Sequence, residues 1–144
     1  MWTQRLTDTP TIRALELAAQ FAERRHHVLA ENLANVDVPD FHQKRLEPAA
    51  FQQSLQAALD RARQSGQTRL DLRGQAQVAT TPSGGLAVRA VEEPAPNALF
   101  HDGTNARVEQ LLTDVADNSL SYELATGFLR GKYDVLLRVI RGKT

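Results

Sequence analysis

ARVEQLLTDVADNSLSYELATGFLRGKYDVLLRVIR, residues 106–141, is the stretch on which the fold turns. Val108, Val115, Tyr122, Leu129 and Leu136 recur in it every seven residues. A 3.5-residue repeat keeps one seam of a helix facing a partner over many turns. The run therefore predicts a helix of roughly 36 residues, about 54 Å long. Thr104 or Asn105 can cap its start, and Arg138, Arg141 and Lys143 complement the dipole at its end. Leu111, Val115, Tyr122, Leu129 and Leu136 are expected to carry the packing. Asn118 and Lys132 interrupt the seam, as solvated or register-fixing positions. Gly127 and Gly131 each cost the helix about 1 kcal/mol relative to Ala. So long a helix outruns what the rest of a 144-residue chain can cover. Part of its apolar face is expected to await other molecules.

The opposite end of the chain carries a matching pattern. Ile12, Leu15, Ala19, Ala22, His26, Leu29 and Leu33 recur with alternating steps of three and four. Leu17, Phe21 and Val28 form a second stripe, and a helix with two stripes touches more than one neighbour. Thr9-Pro10 opens this helix, since threonine accepts a backbone N–H and proline suits the first helical position. The helix is expected over 10–35. Pro39 and the Asn and Asp residues around it end it. Phe41 to Leu46 reads as extended. Pro48 opens a shorter helix to Gln64, with Phe51, Leu55, Ala58, Leu59 and Ala62 on one face, and Ser65-Gly66 stops it.

Residues 66–104 carry only short alternating stretches: Leu70, Leu72, Val78, Leu86, Val88 and Val91. Pro82-Ser83-Gly84-Gly85 is a turn suited to a hairpin tip, and Glu92 to Asn97, with two prolines, reads as linker. The expected architecture is mainly α: long terminal helices packed as an antiparallel, coiled-coil-like hairpin, a short middle helix, and an irregular or weakly β central segment. The expected divisions are a flexible 1–9, a helical 10–64 with its turn, a loop or weak β segment 65–104, and a helical 105–144, forming one structural unit.

Composition excludes several kinds of chemistry. Seventeen basic residues balance seventeen acidic ones, so no bulk field draws the chain to nucleic acid or an anionic bilayer. Without cysteine there is no disulfide, thiolate metal site or thiol catalysis. No apolar run suffices to span a bilayer, and the first eight residues lack the core of a cleavable signal. His26 and His27 point about 100° apart on a helix and cannot chelate together. Neither they nor His42 and His101 have zinc-site spacing. His26 falls on the seam by count, where a polar side chain can fix register, and a seam or surface role is expected of the pair rather than a metal site. Asp37, Asp40 and Glu47 lie in a turn region that uses Asp for capping, with no nucleophile near. No phosphate loop or nucleophile elbow occurs. The reading is a non-enzyme without cofactor or metal.

Asn32, Leu33, Ala34, Asn35, Val36, Asp37, Pro39 and Phe41 resemble the N-terminal signature of bacterial flagellar axial proteins. Val38 stands where that signature has Thr, and Asp40 where it has Gly; glycine permits φ > 0 after the proline, and Asp does so at a penalty. Asp102-Gly103-Thr104-Asn105, Val108-Glu109, Asn118, Tyr122 and Gly131-Lys132-Tyr133 look like the last helix of the proximal-rod branch. Length and the Asp-Gly-x-Asn start favour its B type over its C type. The resemblance covers about 10–64 and 100–142. It implies a structural subunit of the basal-body rod in the periplasm, exported without loss of a signal peptide. The implied partners are other rod subunits, copies of itself and proteins at the junction with the membrane ring and export gate. Asn32, Leu33, Ala34, Asn35, Asp37, Pro39 and Phe41, with the seam residues and Asn118, become the expected subunit contacts. The rival readings are a C-type rod subunit and a soluble helical adaptor or export chaperone.

Overall fold

The computed structural model describes residues 9–93 and 103–142, with backbone alone for 103–106. Three helices dominate: α1 (Pro10–Ala34), α2 (Pro48–Ser65) and α3 (Gly103–Ile140). Four short strands lie between them: β1 (Lys44–Arg45), β2 (Val78–Thr80), β3 (Leu86–Val88) and β4 (Val91–Glu92). The expected caps are in place where they are described. The Thr9 hydroxyl accepts from the Ile12 amide at 3.3 Å, with Pro10 in the first helical turn. Pro48 opens α2, and Gly66 closes it in the left-handed region at φ 67°, a conformation that glycine adopts without steric cost. The Thr104 and Asn105 side chains, residues 1–8 and the Pro94–Pro96 linker lie outside the described residues.

The stripe Ala14, Leu17 and Phe21 of α1 enters the core with Leu46, Phe51, Ala58 and Ala62. Leu70, Leu72, Val78 and Leu86 complete it. Phe21 and Phe51 stack with ring centroids 4.2 Å apart and planes within 5°. Leu70 and Leu72 are buried without forming a strand, contrary to their alternating pattern. The hairpin at Pro82–Gly85 forms as expected: β2 and β3 pair antiparallel with Thr80 opposite Leu86. The Gln20 side-chain carbonyl accepts from the Leu86 amide at 2.8 Å and moors the hairpin to α1.

β1 and β4 pair antiparallel, Lys44 opposite Glu92, so Glu92 belongs to a strand rather than to a linker. No period marks two-residue strands, and this pair was invisible to pattern reading.

α3 lies antiparallel along α1. Arg25 meets Asp114, Ala22 meets Asn118 and Glu16 meets Tyr133, so partner numbers rise as α1 numbers fall. At a rise of about 1.5 Å per residue α1 is about 37 Å long and α3 about 57 Å, so α3 overhangs its partner.

Candidate functional site

The signature turn follows directly from α1. Asn32, only 3% exposed, uses its amide as a strand would use its backbone. Its Nδ2 donates to the Lys44 carbonyl at 2.7 Å, and its Oδ1 accepts from the Lys44 amide at 2.9 Å. This clamp closes the twelve-residue excursion and sets where β1 leaves the helix. Asn35 Nδ2 donates to the Glu31 carbonyl at 2.7 Å, which also accepts from the Asn35 amide at 3.2 Å, so one residue caps the helix end twice. The Lys44 ammonium meets Glu31 at 2.7 Å; that hydrogen bond, then its charge, raises the lysine above its ordinary value. Asp40 takes φ 62°, a left-handed conformation that glycine adopts without steric cost and an L-residue only at a penalty. Phe41 and Leu33 are half-buried, while Ala34, Asp37, Val38 and Pro39 are exposed.

The α1–α3 seam departs from the seven-residue row first read. On α3 the buried side chains are Leu111, Asn118 and Ala125, again seven apart but displaced by three. Val108, Val115, Leu129 and Leu136 are half-buried, and Tyr122 is 44% exposed. Against one helix, one row of a heptad points inward while the adjoining row rides the rim. Ala125 escaped notice because a small residue carries little hydropathy signal. On α1, Ile12, Ala22 and Leu29 are buried, Leu15, Ala19 and Leu33 half-buried.

His26 is exposed, which favours the surface over the seam of the two places open to it. Asn118 holds the register-fixing geometry instead: its Nδ2 donates to the Ala22 carbonyl at 2.8 Å. A one-residue slip would leave that buried amide unpaired. Arg25, mostly buried, adds an ion pair to Asp114 at 3.0 Å. Tyr133 closes the far end on Glu16 at 3.1 Å. Burial first, then the neighbouring carboxylate, pushes its phenol up. His26 and His27 stand 6.4 Å apart by ring centroid. Among the described residues no three His, Asp or Glu side chains converge as a metal site would require, and no helix is long and apolar enough to cross a membrane.

A winding stripe of α3 is apolar and uncovered. Leu120, Leu124, Phe128, Val135 and Val139 are each more than half exposed. Their spacing, with Gly131 completing the series, winds one stripe along the helix. At about 100° per residue the stripe starts opposite Leu111 at Leu120 and winds round the helix, so that Phe128 lies about 60° from the direction of Ala125. A Cβ added at Gly127 or Gly131 would meet nothing within 4 Å, so neither glycine serves a close approach inside this chain.

This chain is similar over nearly its whole length to rod proteins. It is 28% identical over 136 residues to the flagellar basal body rod protein FlgB of Salmonella typhimurium, covering 90% of this chain and 88% of that one. With its counterparts in Escherichia coli and Bacillus subtilis, this match makes the chain similar to flagellar basal-body rod proteins of the B type. The Escherichia coli FlgB is 29% identical over 133 residues, covering 89% of this chain and 88% of its own. The Bacillus subtilis FlgB is 26% identical over 132 residues, covering 92% and 94%. No family model and no solved structure matches the chain.

Proposed function

We propose that the chain is a structural subunit of the flagellar basal-body rod, assembling through its terminal helices into the proximal rod that transmits torque from the motor. The observation that carries this reading is α3: a long helix whose inner row packs on α1 while its outer apolar stripe faces water. Leaving such a stripe bare is unfavourable by about 25 cal/mol for each Å² that a neighbour could cover. Burial between subunits removes that cost, and contacts that repeat without closing produce a helical filament. The paired α1–α3 unit is the assembling element, and the Asn32–Phe41 turn directs the following segment away from it. Its partners in this reading are copies of itself, related rod subunits and the proteins at the membrane-ring and export-gate junction. It reaches the periplasm through flagellar export without loss of a signal peptide, and its role is mechanical rather than catalytic.

The test is Phe128→Glu, combined with Leu124→Glu. Both side chains are exposed in the single chain, so its thermal unfolding should stay within about 0.5 kcal/mol of the original. Complementation of a rod-defective strain should nevertheless fail, with the variant absent from purified basal bodies. Full motility with the double variant would remove the α3 face from assembly and sink this reading.

A further inference from the structure

The chain is neutral as a whole, yet its two ends are not. Where α2 gives way to the central segment, Arg61, Arg69, Arg73 and Asp71 line an open groove of about 450 Å³, with the core residues Ala58 and Ala62 beneath it. Arg69 also borders the first turns of α1, beside Arg13 and Leu17. This groove therefore sits at the N-terminal end of α1. Arg73 is neutralised by Asp71, and the nearby Arg63 faces Asp60 at 3.6 Å. Arg61 and Arg69 instead donate to backbone carbonyls, those of Asp71 at 2.7 Å and Pro82 at 2.9 Å. Those bonds orient the guanidinium groups without cancelling their charge. At the other end of α1, Asp37 and Asp40 flank the exposed Val38 and Pro39. The nearest cations, Lys44 and Arg45, are already paired with Glu31, Glu47 and Glu93. Asp37 and Asp40 make no ion pair or side-chain hydrogen bond among the described residues.

We propose that the turn at residues 37–40 of one copy docks into the arginine groove of the next copy, Asp37 and Asp40 meeting Arg61 and Arg69. Two carboxylates without an ion pair among the described residues match two guanidinium groups, Arg61 held on a backbone carbonyl and Arg69 only partly offset by the charge of Asp71. The two surfaces stand about 36 Å apart along α1, at about 1.5 Å per residue, and cannot meet within one chain. A contact between different surfaces of identical molecules is head-to-tail, and propagates as a filament unless rotation closes it into a ring. This inference rests on the rod reading and adds an axial, electrostatic contact to the apolar α3 face. Such a contact sets register and orientation more than strength.

The absence of cysteine from the chain makes the test clean. Full-length Asp37→Cys and Arg61→Cys are mixed in equal amounts and oxidised gently. The expected result is a 37–61 heterodimer accumulating several-fold faster than either homodimer, with the excess lost in 0.5 M salt because exposed charges are then screened. Sedimentation of the cysteine-free chain should show self-association that weakens about tenfold or more with Asp37→Lys plus Asp40→Asn. Statistical proportions of the three dimers overturn the proposal. So does protection of Arg61 and Arg69 by an acidic peptide or anionic polysaccharide without any heterodimer, which would give the groove a different occupant. A chain that enters basal bodies yet never forms the 37–61 link loses this contact and keeps the rod assignment. A chain absent from basal bodies loses the rod assignment itself.

Discussion

Residues 9–93 and helix α3 use their apolar side chains in opposite ways. Of the sixteen buried apolar residues described, only Leu111 and Ala125 belong to α3, whereas ten of the twelve large exposed ones do. The first region surrounds a core of Phe21, Phe51, Leu46 and Leu72 and completes itself. α3 contributes nothing to that core and touches the body mainly through α1. A helix so placed gains most of its stability only when further neighbours arrive, because long helices depend on packing rather than on propensity. The body is built to fold, and α3 is built to be covered.

The most damaging way to break that contrast is at the body's aromatic stack. Phe51→Ala removes a ring that is 4% exposed and stacked on Phe21. It should cost about 3–5 kcal/mol in urea unfolding, a large share of what a domain of this size possesses. Loss of stability should abolish assembly too, unlike substitution on the bare α3 face, which spares the monomer. If Phe51→Ala left the unfolding midpoint unchanged, the division between a self-sufficient body and an unfinished helix would be wrong.

A smaller effect separates the two halves of the signature turn. Asn32→Ala deletes two hydrogen bonds and strands both the amide and the carbonyl of Lys44 in a partly buried site. A loss of about 2–3 kcal/mol is expected, together with faster hydrogen exchange at the β1–β4 pair. Asn118→Ala should cost less, about 1 kcal/mol, because the Ala22 carbonyl it leaves behind still lies within a helix and keeps an intrahelical donor. The informative reading is where each loss falls. Asn32→Ala should loosen the body, while Asn118→Ala should loosen only the α1–α3 pairing, seen as increased exchange along α3 with β2 and β3 still protected.

Much of this architecture was legible in the chain because its punctuation is local. Thr9-Pro10, Pro48, Gly66 and the Pro82–Gly85 turn each act through the backbone of their own neighbours, and each fell where expected. The antiparallel helix pairing followed from heptads long enough to average out exceptions. What stayed hidden depends on distant partners or on weak signals. Nothing near Lys44 announces that Asn32 will bond it, and nothing near Val91 announces β1. The inward row of α3 was misplaced because hydropathy favours Tyr122 and Leu129 over Asn118 and Ala125, while space along a close helix pair favours the smaller residues. His26 sits at a seam position by count, yet the hairpin does not enclose it.

The smallest expected effect concerns Asp40, where local backbone cost is weighed against the contact proposed between copies. At φ 62° a side chain other than glycine's crowds the following carbonyl, at roughly 1–2 kcal/mol for an ordinary residue and less for Asp or Asn. Glycine removes that strain but adds freedom to the unfolded chain, worth about 0.4–1 kcal/mol. Asp40→Gly should therefore alter monomer stability by no more than about 0.5 kcal/mol, toward greater stability if at all. Asp40→Val should lose about 1–2 kcal/mol, since a β-branched residue tolerates this region worst. The glycine variant then isolates the carboxylate: the fold is kept and one negative charge is gone. If the 37–40 turn works only as a hinge, Asp40→Gly assembles as well as the original chain. If its charge is read by the arginine groove, the glycine chain is equally stable and self-associates more weakly, and the deficit disappears at high salt, where the original chain has lost the same contribution.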